Sequence, residues 1–167
     1  DGRYHSDPVC IESGSSTDMQ EIREYRYEEI QIGQEESFCV TITEEMLESF
    51  YKITKDSNPL HRDAAYAATR GYVDRVVYGM LTASFFSTFA GVYLPGKYSL
   101  IHSVETKFLR PVYVGDELTI SGTVKEKEDA YHMLIVQLLV RNRQGDKVVR
   151  GKMQIKVLDQ DEGSDQG

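Results

Sequence analysis

The stretch at residues 79–92 constrains the fold most. Behind an opening glycine, Gly79, it carries Met80, Leu81, Ala83, Phe85, Phe86, Phe89 and Val92. At helical spacing these side chains cover every face, so the helix must be buried rather than amphipathic. A helix buried on all sides needs another layer of structure around it. The downstream sequence supplies strands. Leu100, His102, Val104 and Phe108 alternate with Ser103, Glu105 and Lys107, and Leu118, Ile120 and Val124 with Thr119, Ser121 and Thr123. Val149, Met153, Ile155 and Val157 alternate with Arg150, Lys152, Gln154 and Lys156. Alternation of this kind marks strands buried on one face. Residues 131–140 are apolar on both faces, and residues 142–146 and Pro95-Gly96 are turn signals. Upstream, residues 37–41 read as a strand. Thr43 reads as the N-cap of a helix that places Met46, Leu47, Phe50 and Thr54 at helical spacing. Short-linked strands after one buried helix predict an α+β fold, an antiparallel β-sheet wrapped around a long central helix.

At 167 residues the chain suits one domain with a sizeable core. Residues 1–26 are Ser-, Asp- and Glu-rich without periodicity and read as a flexible arm. Residues 27–158 read as the domain, and residues 159–167 as a disordered acidic tail. A formal net charge of -8 argues against nucleic acid or an anionic membrane as partner. No apolar run is long enough to span a bilayer, and no secretory h-region opens the sequence, so a cytoplasmic location is expected. Cys10 falls in the polar arm and Cys39 in a strand, without a C-x-x-C pattern, so a structural disulfide is not expected. No His/Cys spacing suits a metal. His5, His102 and His132 lack a carboxylate pattern nearby and read as structural.

The run Lys55-Asp56-Ser57-Asn58-Pro59-Leu60-His61-Arg62-Asp63 carries the chemistry. Pro59 fixes its own φ and drives Asn58 out of the helical region, so the segment must turn. Asp56 and His61 lie on either side of that turn and can converge on one water molecule. An imidazole beside a carboxylate is a general acid–base pair. The same loop would also serve as a polar turn with a surface histidine. Asp63 is placed to cap a helix over residues 64–69 that Gly71 can end. At residue 79 the buried helix start leaves backbone N–H groups without intrahelical acceptors, and glycine admits a ligand close to them. Such donors suit a thioester oxygen that gains charge in a transition state. Close packing alone would also explain Gly79.

Four motifs occur in order: D-x-N-P-L-H-x-D at residues 56–63, V-x-G-M-L-x-A-S at 77–84, L-P-G-K at 94–97 and R-P-V-Y-V-G-D at 110–116. Together they resemble the MaoC-like (R)-specific enoyl-CoA hydratases, over roughly residues 27–158. The resemblance implies a single hotdog fold and syn addition of water to a trans-2-enoyl-CoA. It implies that Asp56 and His61 activate the water and that Gly79 supplies an oxyanion N–H. Asn58, Tyr78 and Ser87 map near the substrate, although Ser87 would also serve as a helix hydroxyl bonded to its own backbone. It further implies a homodimer with shared active sites, and no cofactor, coenzyme A being part of the substrate. Lys97, Lys107 and Arg110 are candidates for its phosphates, or are solvated surface charges. One departure stands out: Tyr78 occupies the place where the family usually has His, and a phenol cannot perform imidazole proton chemistry at neutral pH. A hotdog thioesterase and a non-catalytic acyl-CoA-binding module are the alternatives; the resemblance of the D-x-N-P-x-H loop speaks against the first, and the presence of both Asp56 and His61 speaks against the second, which Tyr78 keeps open.

Overall fold

The computed structural model describes residues 20–160 and the backbone of Val9–Ile11. One six-stranded sheet runs in the order β1-β2-β4-β5-β6-β3. Its strands are β1 (Val9–Ile11), β2 (Glu35–Thr41), β3 (Ser99–Phe108), β4 (Glu117–Glu128), β5 (Met133–Arg141) and β6 (Lys147–Val157). All neighbours are antiparallel except β1 and β2, whose parallel pairing departs from the purely antiparallel expectation. Thr43 caps α1 (Glu44–Thr54) by accepting from the Met46 N–H. The short α2 (Pro59–Arg62) and α3 (Ala64–Thr69) follow, then α4 (Gly79–Thr88). A π-helical turn, Phe89–Tyr93, extends α4, so the two together make the long central helix expected.

The helix reaches the sheet because the sheet has glycine where the aromatics arrive. A Cβ on Gly122 would lie 2.3 Å from the Phe89 ring, and one on Gly151 would lie 2.9 Å from the Phe86 ring. Around them Leu118, Ile120, Leu134, Val136, Met153 and Ile155 are fully buried. Truncating either aromatic would cost about 3–5 kcal/mol. One flank of the helix stays open: Met80 is 64% exposed, and Ser84 and Ser87 are exposed beside it. The helix is therefore not covered on every face within one chain.

Strand β3 departs from its expected alternation. A bulge between Ile101 and Ser103 shifts the register, so Ile101 pairs with the buried Ile155 and Val104 with the buried Met153. Leu100 pairs with Lys156 and is separated from the face shared by Val104 and Phe108. The apolar segment at residues 131–140 resolves into one core face, with Leu134, Val136, Leu138 and Val140 buried and Met133, Ile135 and Leu139 partly covered on the other. Its Tyr131 is exposed.

Residues 20–26, the end of the segment read as an arm, lie along the helix end. The Arg23 N–H donates to the Val92 carbonyl (2.9 Å), and Glu24 bridges to Gly96. The rest of the arm apart from β1, with His5, and residues 161–167 of the tail are outside the described residues. Cys39, buried in β2, is disulfide-bonded, which overturns the expectation of no disulfide. The β1–β2 register sets Cys10 opposite Cys39. Composition could not show that a polar arm returns as a strand beside β2. His132 stacks on Tyr27 (4.5 Å between ring centroids), a structural role as expected.

Candidate active site

Helix α1 ends at Lys55, a left-handed C-cap residue (φ 58°, ψ 20°) that turns the chain into the loop. The loop then holds its own shape. The Asp56 N–H donates to Thr54 Oγ1 (3.2 Å), and Asp56 Oδ1 accepts from the Asn58 N–H (3.0 Å). Asn58 Oδ1 accepts from the Leu60 N–H (2.9 Å), capping α2 with Pro59 in its first turn. This single turn of helix presents His61. Asp63 accepts from the N–H groups of Ala65 and Tyr66, so it is a helix cap, as its position predicted.

The segment at residues 76–79 faces this loop and meets each part of it. His61 Nδ1 lies 2.6 Å from the Val76 carbonyl oxygen. A carbonyl can only accept, so geometry assigns the proton to Nδ1, and in the neutral ring Nε2 is the acceptor. The Val76 N–H returns a bond to the Leu60 carbonyl (3.1 Å). The Tyr78 hydroxyl donates to the Asp56 carbonyl (2.7 Å), and its ring lies 4.3 Å from that of His61 and 4.9 Å from that of Phe50. Tyr78 is buried, and that burial raises its phenol pKa, keeping the hydroxyl a donor. Gly79 opens α4 next. Its N–H and that of Met80 have no acceptor among the described residues, whereas Leu81 and Thr82 already bond to the Tyr78 carbonyl. The Phe108 ring lies 2.9 Å from where a Gly79 Cβ would stand, so close packing favours glycine here.

These parts share one cavity of about 1020 Å³ with a mainly apolar wall. Asp56, His61, Tyr78, Gly79 and Ser87 all line it; Asn58 does not, and shapes the loop from behind. Among the described residues no hydrogen bond joins Asp56 to His61, so any molecule both of them hold must sit between them. The helix hydroxyl bonded back to its backbone is Ser84, to the Leu81 carbonyl (2.6 Å), leaving Ser87 open to the cavity. Of the three basic candidates Arg110 lines this cavity. Lys97 instead pairs with Glu24 (3.2 Å), and Lys107 lies in a separate groove with Arg150. Sequence reasoning missed the Val76 carbonyl, which carries no side-chain signal, and Thr82. Thr82 is buried on the cavity wall, its hydroxyl without a partner among the described residues, three residues beyond Gly79 on the same helical face. That spacing was the available clue.

A carboxylate with one oxygen unengaged among the described residues, an imidazole acceptor and helix-start N–H donors facing one apolar cavity have the chemistry that an acid–base site beside an oxyanion site requires. The likeness to known proteins agrees. The (R)-specific enoyl-CoA hydratase of Aeromonas caviae is 31% identical over 128 residues, covering 77% of this chain and 96% of that protein. The enzyme of the same name from Rhodospirillum rubrum is 36% identical over 106 residues, covering 61% of this chain and 74% of that protein. The unliganded R-hydratase of Pseudomonas aeruginosa superposes with a TM-score of 0.78 at 32% identity, over 83% of this chain and 89% of that one. The MaoC like domain matches residues 28–142. With that span and those relatives, the chain belongs to the MaoC-like domain family and has its hotdog fold.

Proposed function

We propose that this protein is an (R)-specific enoyl-CoA hydratase, adding water reversibly and syn to a trans-2-enoyl-CoA to give a (3R)-3-hydroxyacyl-CoA. The observation that carries the reading is the segment at residues 76–79, which holds the His61 imidazole, the Asp56 loop and the Gly79 N–H on one cavity. The thioester oxygen accepts from the Gly79 N–H, with the α4 dipole behind it. Water sits between the free Asp56 oxygen and His61 Nε2. Asp56 takes a proton as the water oxygen bonds to C3, and His61 orients the water and shares its proton. The electron pair of the double bond moves onto the thioester as an enolate, and a proton returns to C2 on the same face. Helix-start donors of this kind are each typically worth ~3 kcal/mol of barrier. Ser87 lines the acyl path, Tyr78 walls the site beside His61, and Asn58 keeps Asp56 in place. Arg110 at the cavity is the cation best placed for a coenzyme A phosphate.

Incubation with crotonyl-CoA tests this. Loss of enoyl absorbance without free thiol, with an (R) product, is expected. Thiol release would mean a thioesterase, and binding without turnover a binding module.

The same reading includes a homodimer. Strand β3 is a sheet edge, and its Val104 and Phe108 are 45% and 50% exposed on the cavity that Met80 of α4 also lines. An apolar, unpaired edge calls for a partner, and a second copy joined edge to edge supplies one with two-fold symmetry. Light scattering at micromolar concentration should give twice the chain mass; a stable, fully active monomer would refute it. Among the described residues no helix is long and apolar enough to cross a membrane. We place the enzyme in the cytoplasm with its thioester substrate. That placement predicts a reduced Cys39 in cells, because cytosolic thiol pools open such bonds. An intact disulfide in cells alkylated at lysis would refute it.

A further inference from the structure

We propose that Tyr78 is a positioning residue that sets Asp56 and His61 together, its hydroxyl holding the one and its ring face the other; the proposal rests on the hydratase reading above. Asp56 follows Lys55, a non-glycine residue in the left-handed region. Such a residue persists where its surroundings hold it. The bonds to Thr54 and Asn58 are local, and the bonds of Val76 to Leu60 and His61 tie the far side of the loop, so none of them sets Asp56 against α4. The Tyr78 hydroxyl supplies that link, reaching the Asp56 carbonyl from 22 residues further along the chain. Since Tyr78 directly precedes Gly79, the link measures the loop against the start of α4.

The ring does a second job. The Nδ1 bond to Val76 fixes one point of the imidazole, and one bond alone leaves the ring free to tilt about it. Tyr78 lies against its face at 4.3 Å and 32°, and Phe50 backs Tyr78 at 4.9 Å. Nε2 is thereby aimed. A phenol carries one proton, and here it is committed to the Asp56 carbonyl, so the hydroxyl has none to offer a substrate. Tyr78 therefore acts through its two neighbours and touches the reaction only by way of them. A Tyr at the family's usual His position then becomes intelligible: what the position requires is a flat ring against His61 and a donor long enough to reach the loop.

Tyr78→Phe separates the two functions, removing the hydroxyl and keeping the ring. Expected results are a kcat lower by about tenfold, the upper reach of one neutral hydrogen bond, an unchanged KM for the enoyl thioester, and faster amide exchange across residues 56–60, with the melting temperature lower by no more than a few degrees. Tyr78→Leu should reduce kcat further and shift the His61 ring resonances. A raised KM at unchanged kcat in Tyr78→Phe would overturn the proposal in favour of a substrate contact. Unchanged kcat together with unchanged exchange would overturn it outright. Exchange and imidazole resonances do not depend on turnover. If the wild-type protein hydrates no enoyl thioester, the hydratase reading fails while these two measurements still decide whether Tyr78 holds the loop and the ring.

Discussion

Replacing Asp56 with asparagine isolates chemistry from structure at this site. The carboxylate makes one bond within the described residues, Oδ1 accepting from the Asn58 N–H at 3.0 Å. An asparagine amide oxygen keeps that bond, and the main-chain carbonyl held by Tyr78 is untouched. The residue is exposed, so the stability change should stay within about 0.5 kcal/mol. What is lost is the proton acceptor. A positioned general base contributes ~10²–10⁴ in rate, which is about 2.7–5.4 kcal/mol of barrier at ~1.36 kcal/mol per decade. Asp56→Asn should thus melt like the wild type and hydrate crotonyl-CoA at least about a hundredfold more slowly. Asp56→Ala should show the same loss of rate plus roughly 1 kcal/mol of instability, because the turn bond goes as well. Turnover is read from the enoyl absorbance and stability from thermal unfolding of the same preparations. Near-wild-type turnover in Asp56→Asn would refute the assignment of the base and leave His61 to carry it.

Gly79→Ala should lower both the melting temperature and turnover, since the new Cβ meets the Phe108 ring at 2.9 Å. Adding Phe108→Leu should restore stability but not turnover; recovery of both would mean that Gly79 serves packing alone. His61→Ala should fold and lose most hydration, with full activity of that variant counting against any role for the imidazole. Burial first, then the hydrogen bond to Asp129, pushes the Tyr27 phenol up to about 12 from an ordinary 10.0. The folded state therefore holds that proton more tightly, and the stability this contributes is intact below about pH 10 and lost as pH rises through about 12. Thermal melts across that range should fall less steeply for Tyr27→Phe, and an identical fall in both proteins would refute the linkage.

Much of the fold was legible because its signals are local. The Thr43 and Asp63 caps, the Asn58-Pro59 turn and the alternation in β4 and β6 each follow from a few adjacent residues. The misreadings were long-range. The bulge at residues 101–103 slips β3 by one position, and nothing in the spacing of Leu100, His102 and Val104 announces it, because its cause lies in pairing with β6. The Cys39 disulfide was hidden for a similar reason: residues 9–11 return as a strand parallel to β2, a long-range pairing that no local signal announces. The exposed flank of α4 marks a different limit. Apolar residues on all faces do require cover, yet composition cannot say whether this chain or another copy provides it.

At the site, the residue types were legible and their division of labour was not. Asp56, His61 and Gly79 stand out because their side chains, or the absence of one, suit the chemistry. The groups that orient them are largely main chain: the Val76 carbonyl sets the imidazole tautomer, and the Asp56 carbonyl receives the Tyr78 hydroxyl. A carbonyl is present at every position, so its use leaves no mark in a sequence. Tyr78 shows the consequence. Judged by side-chain chemistry, tyrosine in place of histidine looks like the loss of a proton carrier. Placed against the Asp56 carbonyl and the His61 ring, it is a donor and a flat surface, and neither use needs an imidazole's proton chemistry. On the proposed reading, substitution at this position would change how firmly Asp56 and His61 are held rather than which groups carry the reaction.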